Sequence, residues 1–173
     1  MNIRIRPAVS GDVPVILDIM NEAIIHTTAV YEYTPRPIEV QQAWFEKKQA
    51  DAMPVLVAVN EEEVLGYGTY DVFRPRAAYR FTVEHSVYVA APHRGLGIGA
   101  IILKALIHKA LEEGYHTMIA GIDAANKGSI AFHRKYGFEE VGLLREVGYK
   151  FDRWLDLQFM QLILTPPAVS QPE

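Results

Sequence analysis

A glycine-rich stretch at residues 94–99, RGLGIG, places three glycines at alternate positions between a predicted strand and a predicted helix. The strand covers residues 81–89 and is rich in valine, and the helix covers residues 100–113 with an apolar face. At such a junction the free backbone N–H groups and the positive end of the helix dipole point at one spot, and glycine lets an anion come close. The stretch predicts a phosphate-binding site; a turn that only permits tight packing is the alternative.

The residues around this stretch narrow the choice of phosphate ligand. A Walker loop ends in Gly-Lys-Ser/Thr, and it is excluded because Gly99 is followed by Ala100. The dinucleotide-binding fingerprint G-x-G-x-x-G/A is satisfied formally by Gly95, Gly97 and Ala100. Only about half of the chain follows it, however, and the acidic residue Asp123 comes later than the ~20-residue spacing that this fingerprint requires.

Hydrophobic periodicity predicts eleven elements in the order β-α-α-β-β-β-α-β-α-β-β, which is a mixed sheet with helices on its faces and an α/β or α+β class. Residues 1–165 are expected to form one domain, followed by a frayed proline-rich tail at 166–173. The predicted elements are a strand at 3–5, a helix capped by Ser10 and ending near Ile24, a helix starting at Pro37, strands 55–59, 64–70 and 81–89, helix 100–113, strand 116–122, helix 126–136, and strands 138–145 and 150–164.

Composition excludes several classes of protein. The chain has 173 residues, half of them apolar, and no cysteine, so disulfide scaffolds, thiol nucleophiles and zinc ribbons are ruled out. A net charge of −4 gives no global field for nucleic acid, and any polyanion must be bound locally. No apolar run reaches a membrane span and no signal peptide is evident, so we expect a cytoplasmic protein. The six histidines include no HExxH motif, which predicts no metal site.

Two motifs carry a family resemblance. Residues 89–99, VAAPHRGLGIG, resemble the Q/R-x-x-G-x-G/A acetyl-CoA motif of the GNAT N-acetyltransferases. Residues 126–138, NKGSIAFHRKYGF, look like the second signature of that superfamily, a helix that ends in Gly-Phe. More narrowly, residues 82–89 (TVEHSVYV) and 148–157 (GYKFDRWLDL) resemble the phosphinothricin and methionine sulfoximine/sulfone acetyltransferase subgroup. The resemblance covers nearly the whole chain and implies a single-domain GNAT fold.

The resemblance also implies where acetyl-CoA binds. In this superfamily the strand before the glycine loop splays away from its neighbour, and the pantetheine arm fills the gap by bonding backbone groups. Asn126 and Ser129 match CoA-contacting positions, although both residues also cap helices readily. The implied cofactor-binding residues are Val87, Tyr88, Val89, Arg94, Gly95, Leu96, Gly97, Ile98, Gly99, Ala100, Asn126 and Ser129.

Glu84 is the candidate general base. Its strand neighbours are valines, which indicates burial, and burial raises the pKa of a carboxyl group into the range that suits a base. The subgroup resemblance implies a catalytic glutamate at this position, usually acting through water. A structural carboxylate paired with Arg80 is the alternative.

His133 is the candidate proton donor for the departing thiolate. Many GNAT enzymes have a tyrosine four residues before the glycine of the second signature, and the phosphinothricin subgroup has histidine there. His133 occupies that place in this chain, and Tyr136 could substitute for it. A packed or solvated helix histidine is the alternative reading.

Substrate recognition is expected from the loops. Arg74, Arg76 and Arg80 lie within seven residues, and arginine binds carboxylates through two parallel hydrogen bonds. A solvated basic loop is the alternative, and Arg76 departs from the aromatic or apolar residue that is common in the sulfone enzymes. The subgroup resemblance implies that two stretches line the substrate site, Arg74, Pro75 and Arg76 in one and Glu84, His85 and Ser86 in the other. Tyr31 and Glu32 of the first long loop are expected to close over it.

Together these features predict an enzyme that transfers the acetyl group of acetyl-CoA to the α-amine of a small amino acid or analogue. Methionine sulfoximine, methionine sulfone and phosphinothricin are the implied substrates. Without a cysteine, direct attack by the amine is the expected route. Acetylation of a polyamine or of a protein N-terminus, or a non-catalytic acetyl-CoA sensor, are the alternatives. By resemblance we expect a homodimer with residues 149–164 at its interface, although the apolar side chains of that segment could equally be core.

Overall fold

The computed structural model describes residues 2–61 and 63–164, and these form one seven-stranded mixed sheet covered by four α-helices. The mixed α/β class and the predicted element order are confirmed, whereas the tail at 166–173 lies outside the described residues. None of the helices in the described ranges is long and apolar enough to cross a membrane. The elements are β1 Ile3–Pro7, α1 Val13–His26, α2 Ile38–Ala50, β2 Val55–Asn60, β3 Glu63–Val72, β4 Thr82–Val89, α3 Ile98–Glu112, β5 Thr117–Asp123, α4 Lys127–Lys135, β6 Glu139–Lys150 and β7 Arg153–Ile163.

The sheet has the strand order β1-β2-β3-β4-β5-β7-β6, and its only parallel neighbours are β4 and β5 among the described strands. These two strands pair over just three residues each, from Thr82 to Glu84 and from Thr117 to Ile119. Beyond Glu84, β4 keeps its antiparallel pairing with β3 but leaves β5. The sheet is therefore split in the middle, with a wedge that opens toward the C-terminal ends of both strands.

Two hydrophobic layers hold the helices to the sheet. Side chains of α3 and α4, including Ile102 and Leu106, pack on one face, and side chains of α1 and α2, including Ile16 and Phe45, pack on the other. Burying each such large apolar side chain contributes about 1.5–3 kcal/mol relative to leaving it exposed. Since successive side chains of β4 alternate between these layers, one strand supplies groups to both faces of the split.

Two predicted helix starts were wrong. Ser10 does not cap α1: residues Ser10–Asp12 form a single 3₁₀ turn, and the Asp12 carboxylate accepts a hydrogen bond from the Val9 amide at 2.8 Å. Helix α3 begins at Ile98, two residues earlier than predicted, because Gly97 adopts a left-handed conformation and serves as its N-cap. The glycine stretch is consequently continuous with the helix end.

The last hairpin also differs from the prediction. Strand β6 runs five residues further than expected, to Lys150, and two register irregularities against β7 absorb the extra length. The apolar run in residues 151–159 divides: Leu155 is buried, whereas Phe151 and Trp154 are exposed. Phe151 is one of two turn residues with positive φ, so the tip of the hairpin is a tight turn built without glycine.

Candidate active site

The glycine stretch forms a cradle of backbone donors at the open end of the wedge. Gly95 and Gly97 have φ of +80° and +81°, a conformation that side chains with a Cβ rarely adopt. The backbone amides from Gly95 to Gly99 donate no hydrogen bond to any residue that the structure describes. These free N–H groups and the N-terminus of α3 can therefore receive an anionic ligand such as a diphosphate.

A cavity of about 830 Å³ continues from this cradle into the gap between β4 and β5. Every residue predicted to bind the cofactor lines it except Leu96, whose side chain is exposed to solvent. The lining residues are Ala29, His85, Ser86, Val87, Tyr88, Val89, His93, Arg94, Gly95, Gly97, Ile98, Gly99, Ala100, Ala120, Gly121, Ile122, Asp123, Asn126, Gly128, Ser129, Phe132, His133, Lys135 and Tyr136.

Arg94 and Asn126 line this cavity but are already engaged with protein groups. The Arg94 guanidinium pairs with Glu22 and donates through Nε to the Val89 carbonyl at 3.1 Å. Asn126 caps α4, because its Oδ1 accepts the Ser129 amide at 3.0 Å. The capping role anticipated for Asn126 is thus present, and it leaves the amide nitrogen of that side chain available to a ligand.

Glu84 lies on the face of β4 opposite His85, at the point where β4 and β5 separate. Its carboxylate stands against Gly121 of β5: a Cβ built on Gly121 would be 3.0 Å from Glu84 Oε1. Burial raises the pKa of Glu84; the positive charge of Arg74 opposes this shift, and the negative charge of Asp71 adds to it. The Arg80 guanidinium lies over the Phe81 ring instead, so the structure gives no support to a Glu84–Arg80 pair.

His133 and His85 form a buried pair inside the cavity. Their Nε2 atoms are 3.2 Å apart, and His133 Nδ1 is 2.7 Å from the Ser129 carbonyl. A carbonyl only accepts, so Nδ1 of His133 carries the proton, its Nε2 accepts, and His85 Nε2 donates. Burial lowers the pKa of both rings, that of His85 to about 3, and both are therefore neutral near pH 7.

The residues predicted to bind the substrate are only partly brought together. Ser86 shares the face of Glu84, whereas His85 points the other way, into the pair with His133. Arg74, Pro75 and Arg76 are exposed in the β3–β4 loop outside the cavity, and only Arg74 is close enough to influence the Glu84 carboxyl. Tyr31 packs its ring against Gly148.

A model described as the acetyltransferase (GNAT) family matches residues 18–138, which include the split strands, the glycine cradle and α4. The chain belongs to the GNAT family.

Relatives across the family cover nearly the whole chain. A methionine sulfoximine/methionine sulfone acetyltransferase of Pseudomonas aeruginosa is 47% identical over 96% of this chain and 97% of its own length. A phosphinothricin acetyltransferase from Sinorhizobium meliloti, solved in complex with acetyl-CoA, is 38% identical with a TM-score of 0.93 over 100% of this chain and 95% of its own. A ribosomal-protein-alanine N-acetyltransferase from Brucella melitensis is 48% identical with a TM-score of 0.91, covering 93% and 99%.

Sequence reasoning missed several residues of this GNAT site. Ala29, Gly121, Asp123 and Phe132 line the cavity, but none was singled out as a ligand-binding residue. Gly121 carried a readable signal, since a glycine inside a strand often marks a close approach of another group. Within the described residues no group of three or more His, Cys, Asp or Glu side chains is placed to hold a metal ion.

Proposed function

We propose that this GNAT protein moves the acetyl group of acetyl-CoA to the α-amine of a small amino acid or analogue, with methionine sulfone, methionine sulfoximine and phosphinothricin as its substrates. The observation that carries the proposal is the position of Glu84, a half-buried carboxylate on the face of the split opposite the glycine cradle. Acetyl-CoA from one face and an amine from the other would meet at this carboxylate. The names of two of the relatives support this substrate class, whereas the name of the third favours a ribosomal-protein alanine as acceptor, which the assay below includes as a peptide.

Glu84 acts as the general base in this proposal. An amino acid near neutral pH carries an ammonium group, which must lose a proton before its nitrogen can attack. Burial holds the pKa of Glu84 above its ordinary value, which makes the carboxylate a stronger proton acceptor than an exposed glutamate. The proton passes from the ammonium to Glu84 directly or through one water.

The unpaired part of β4 stabilises the transferred carbonyl. Acetyl-CoA supplies the thioester when it is bound: the amine nitrogen bonds to the carbonyl carbon, the C–S bond breaks to release the CoA thiolate, and the nitrogen gives up its remaining surplus proton to solvent. Beyond Glu84, backbone groups of β4 face the wedge without a partner on β5, and an N–H there can donate to the developing oxyanion. Because the chain has no cysteine, the amine attacks the thioester directly, without a cysteine acyl-enzyme.

The departing thiolate takes its proton from one of two residues of the cavity, His133 or Tyr136. The hydrogen bonds favour Tyr136, since the only ring proton of His133 is already donated to the Ser129 carbonyl. His133 would then line the cavity as a fixed, neutral side chain.

The carboxylate of the acceptor is bound by the arginines of the β3–β4 loop, Arg74 and Arg76, of which Arg74 is the one whose charge reaches Glu84. Pro75 lies between them in this loop. Tyr31 and Ser86 complete the acceptor side. A second copy of the chain would cover the exposed apolar side chains of the last hairpin, such as Trp154, Phe151 and Leu143, in a homodimer. The expected cytoplasmic location remains a prediction.

A thiol-release assay with acetyl-CoA tests the proposal over a panel of acceptors: methionine sulfone, methionine sulfoximine, phosphinothricin, a polyamine and a peptide with an N-terminal alanine. Turnover with the amino-acid analogues, and an N-acetyl product by mass spectrometry, is the expected result. Turnover with the peptide or polyamine alone would contradict the substrate class, and binding of acetyl-CoA without any turnover would contradict an enzymatic function.

Sedimentation of the wild type and of Trp154→Glu tests the proposed homodimer.

A further inference from the structure

Lys150 is a buried lysine at the end of β6 whose ammonium group is completely occupied by backbone oxygens. Its Nζ donates to the carbonyls of Ile24, Thr27 and Val30 at 2.7, 2.8 and 2.7 Å. An ammonium has three protons, and each has one acceptor here. Two of these carbonyls belong to the C-terminal end of α1 and the residue that follows it, where unpaired oxygens concentrate negative charge and favour a cation.

Two further contacts join the end of β6 to the loop between α1 and α2, residues 27–37. Tyr33 donates through its hydroxyl to the Tyr149 carbonyl at 2.6 Å. The Tyr31 ring lies so close to Gly148 that a Cβ there would be 2.6 Å from the ring edge. Three successive residues of β6 therefore hold one loop, and Lys150 makes the only charged contact among them.

The loop held in this way borders the acceptor side of the split. Ala29 lines the main cavity. Thr28 donates to the Asp123 carboxylate at the end of β5, and both line a second, open cavity of about 330 Å³ that adjoins the first. Further along, Glu32 pairs with Arg36 near Tyr88, one of the β4 side chains on the Glu84 face. The loop thus forms a wall beside the place where the acceptor amine would approach Glu84.

We propose that Lys150 is a positioning residue for the acceptor: it fixes the 27–37 loop as a wall of the acceptor site, and thereby sets the affinity for the amine without touching it. This inference rests on the proposed function. Acetyl-CoA binding depends on the glycine cradle and the β4–β5 gap, which Lys150 does not contact. Loss of Lys150 therefore affects the acceptor more than acetyl-CoA, since Ala29 is the only described residue of the loop that lines the acetyl-CoA cavity.

The test compares Lys150→Met, which keeps the length of the side chain and removes its donors, with Lys150→Arg and with the exposed-lysine control Lys47→Met. We expect the acceptor KM of Lys150→Met to rise about tenfold, which corresponds to ordering one or two side chains. The acetyl-CoA dissociation constant should stay at the wild-type value. Lys150→Arg should recover part of the affinity, and Lys47→Met should match the wild type. A lower melting temperature with an unchanged acceptor KM would overturn the proposal, because it would show a purely structural role.

Gly148→Ala gives a second, independent test if Lys150→Met does not fold. The added Cβ displaces the Tyr31 ring and so disturbs the same wall, and the acceptor KM should again rise while acetyl-CoA binding does not change. Gly142→Ala is the matched control, since a Cβ at Gly142 meets nothing within 4 Å. An unchanged acceptor KM in Gly148→Ala overturns the proposal. A wild type that acetylates no amino acid refutes the proposed function as well, whereas an active wild type with unaffected variants refutes the role of Lys150 alone.

Discussion

The Glu84 carboxylate lies against the bare α-carbon of Gly121, so that the last paired residue of β4 and the opened part of β5 meet where the sheet splits. The carboxylate holds this position without crowding because residue 121 has no side chain. The same glycine lines the cavity proposed for acetyl-CoA. The Glu84 carboxylate on the acceptor face therefore lies beside a residue that lines the acetyl-CoA cavity.

Gly121→Ala should lower kcat by displacing this carboxylate. The added Cβ would be 3.0 Å from Glu84 Oε1 and 3.4 Å from Leu157, so the carboxylate must move by a few tenths of an ångström. Since a displacement of about 1 Å can cost about a hundredfold in rate, we expect a loss of about tenfold in kcat. Steady-state kinetics with Gly142→Ala as control measure the effect; equal kcat values for both variants would contradict the contact.

Asp71→Asn should move the acidic limb of the kcat/KM profile to lower pH. Asp71 is the cross-strand partner of Glu84 on β3, and its negative charge helps to raise the Glu84 pKa. Without that charge Glu84 loses its proton at a lower pH, and activity extends into more acidic solution. Asp51→Asn, at an exposed helix end, is the control. A limb that does not move, or one that moves upward, argues against Glu84 as the titrating base.

Tyr136→Phe should reduce kcat more than His133→Gln does. The donated proton of His133 is held by the Ser129 carbonyl, which leaves Tyr136 as the donor to the thiolate. Removing a general acid typically costs about 10²–10⁴-fold in rate. We expect Tyr136→Phe to lose rate within that range and His133→Gln to lose less than about 10²-fold. Single-turnover experiments isolate the chemical step and measure both losses. The reverse order would assign the proton to His133.

The His85–His133 pair should make the fold less stable in acid. The pKa of His85 is about 3 in the folded protein, against about 6.5 when unfolded, so only the unfolded chain takes up the proton between these values. Stability therefore falls as pH drops below about 6.5, by up to about 1.4 kcal/mol per pH unit for this residue. Urea unfolding from pH 7 to 4 should show a shallower decline in His85→Phe than in the wild type. The exposed control His108→Phe should lose stability with falling pH as the wild type does. If the free energy of unfolding of His85→Phe also declines as steeply as that of the wild type, His85 is not the source of the acid sensitivity.

The element order and the glycine cradle could be predicted because each depends on a local pattern. Alternating valines indicate a strand, and glycines before an apolar helix indicate an anion site. The extra length of β6 could not be predicted, because irregular pairing with β7 absorbs it and pairing is a property of two strands.

The contacts that shape the site could not be predicted from the sequence, for a related reason. His85 and His133 are 48 residues apart, and Lys150 is 120 to 126 residues from the carbonyls that it binds. No period or motif links such positions, since only the folded sheet and helices bring them together. Gly121 is the intermediate case: a glycine inside a strand suggests a close approach, but the sequence does not say that Glu84 is the group approaching.

In the proposed mechanism, Glu84 removes the proton from an amine that attacks acetyl-CoA directly. Its most direct test is the kcat of Glu84→Gln against that of the wild type, with acetyl-CoA and L-methionine sulfone near neutral pH and with acetyl-CoA affinity measured separately by calorimetry. Glutamine keeps the size of the side chain and removes the base. We predict that kcat falls about 10²–10⁴-fold while acetyl-CoA affinity is unchanged. A Glu84→Gln protein that turns over at the wild-type rate would show that Glu84 is not the base.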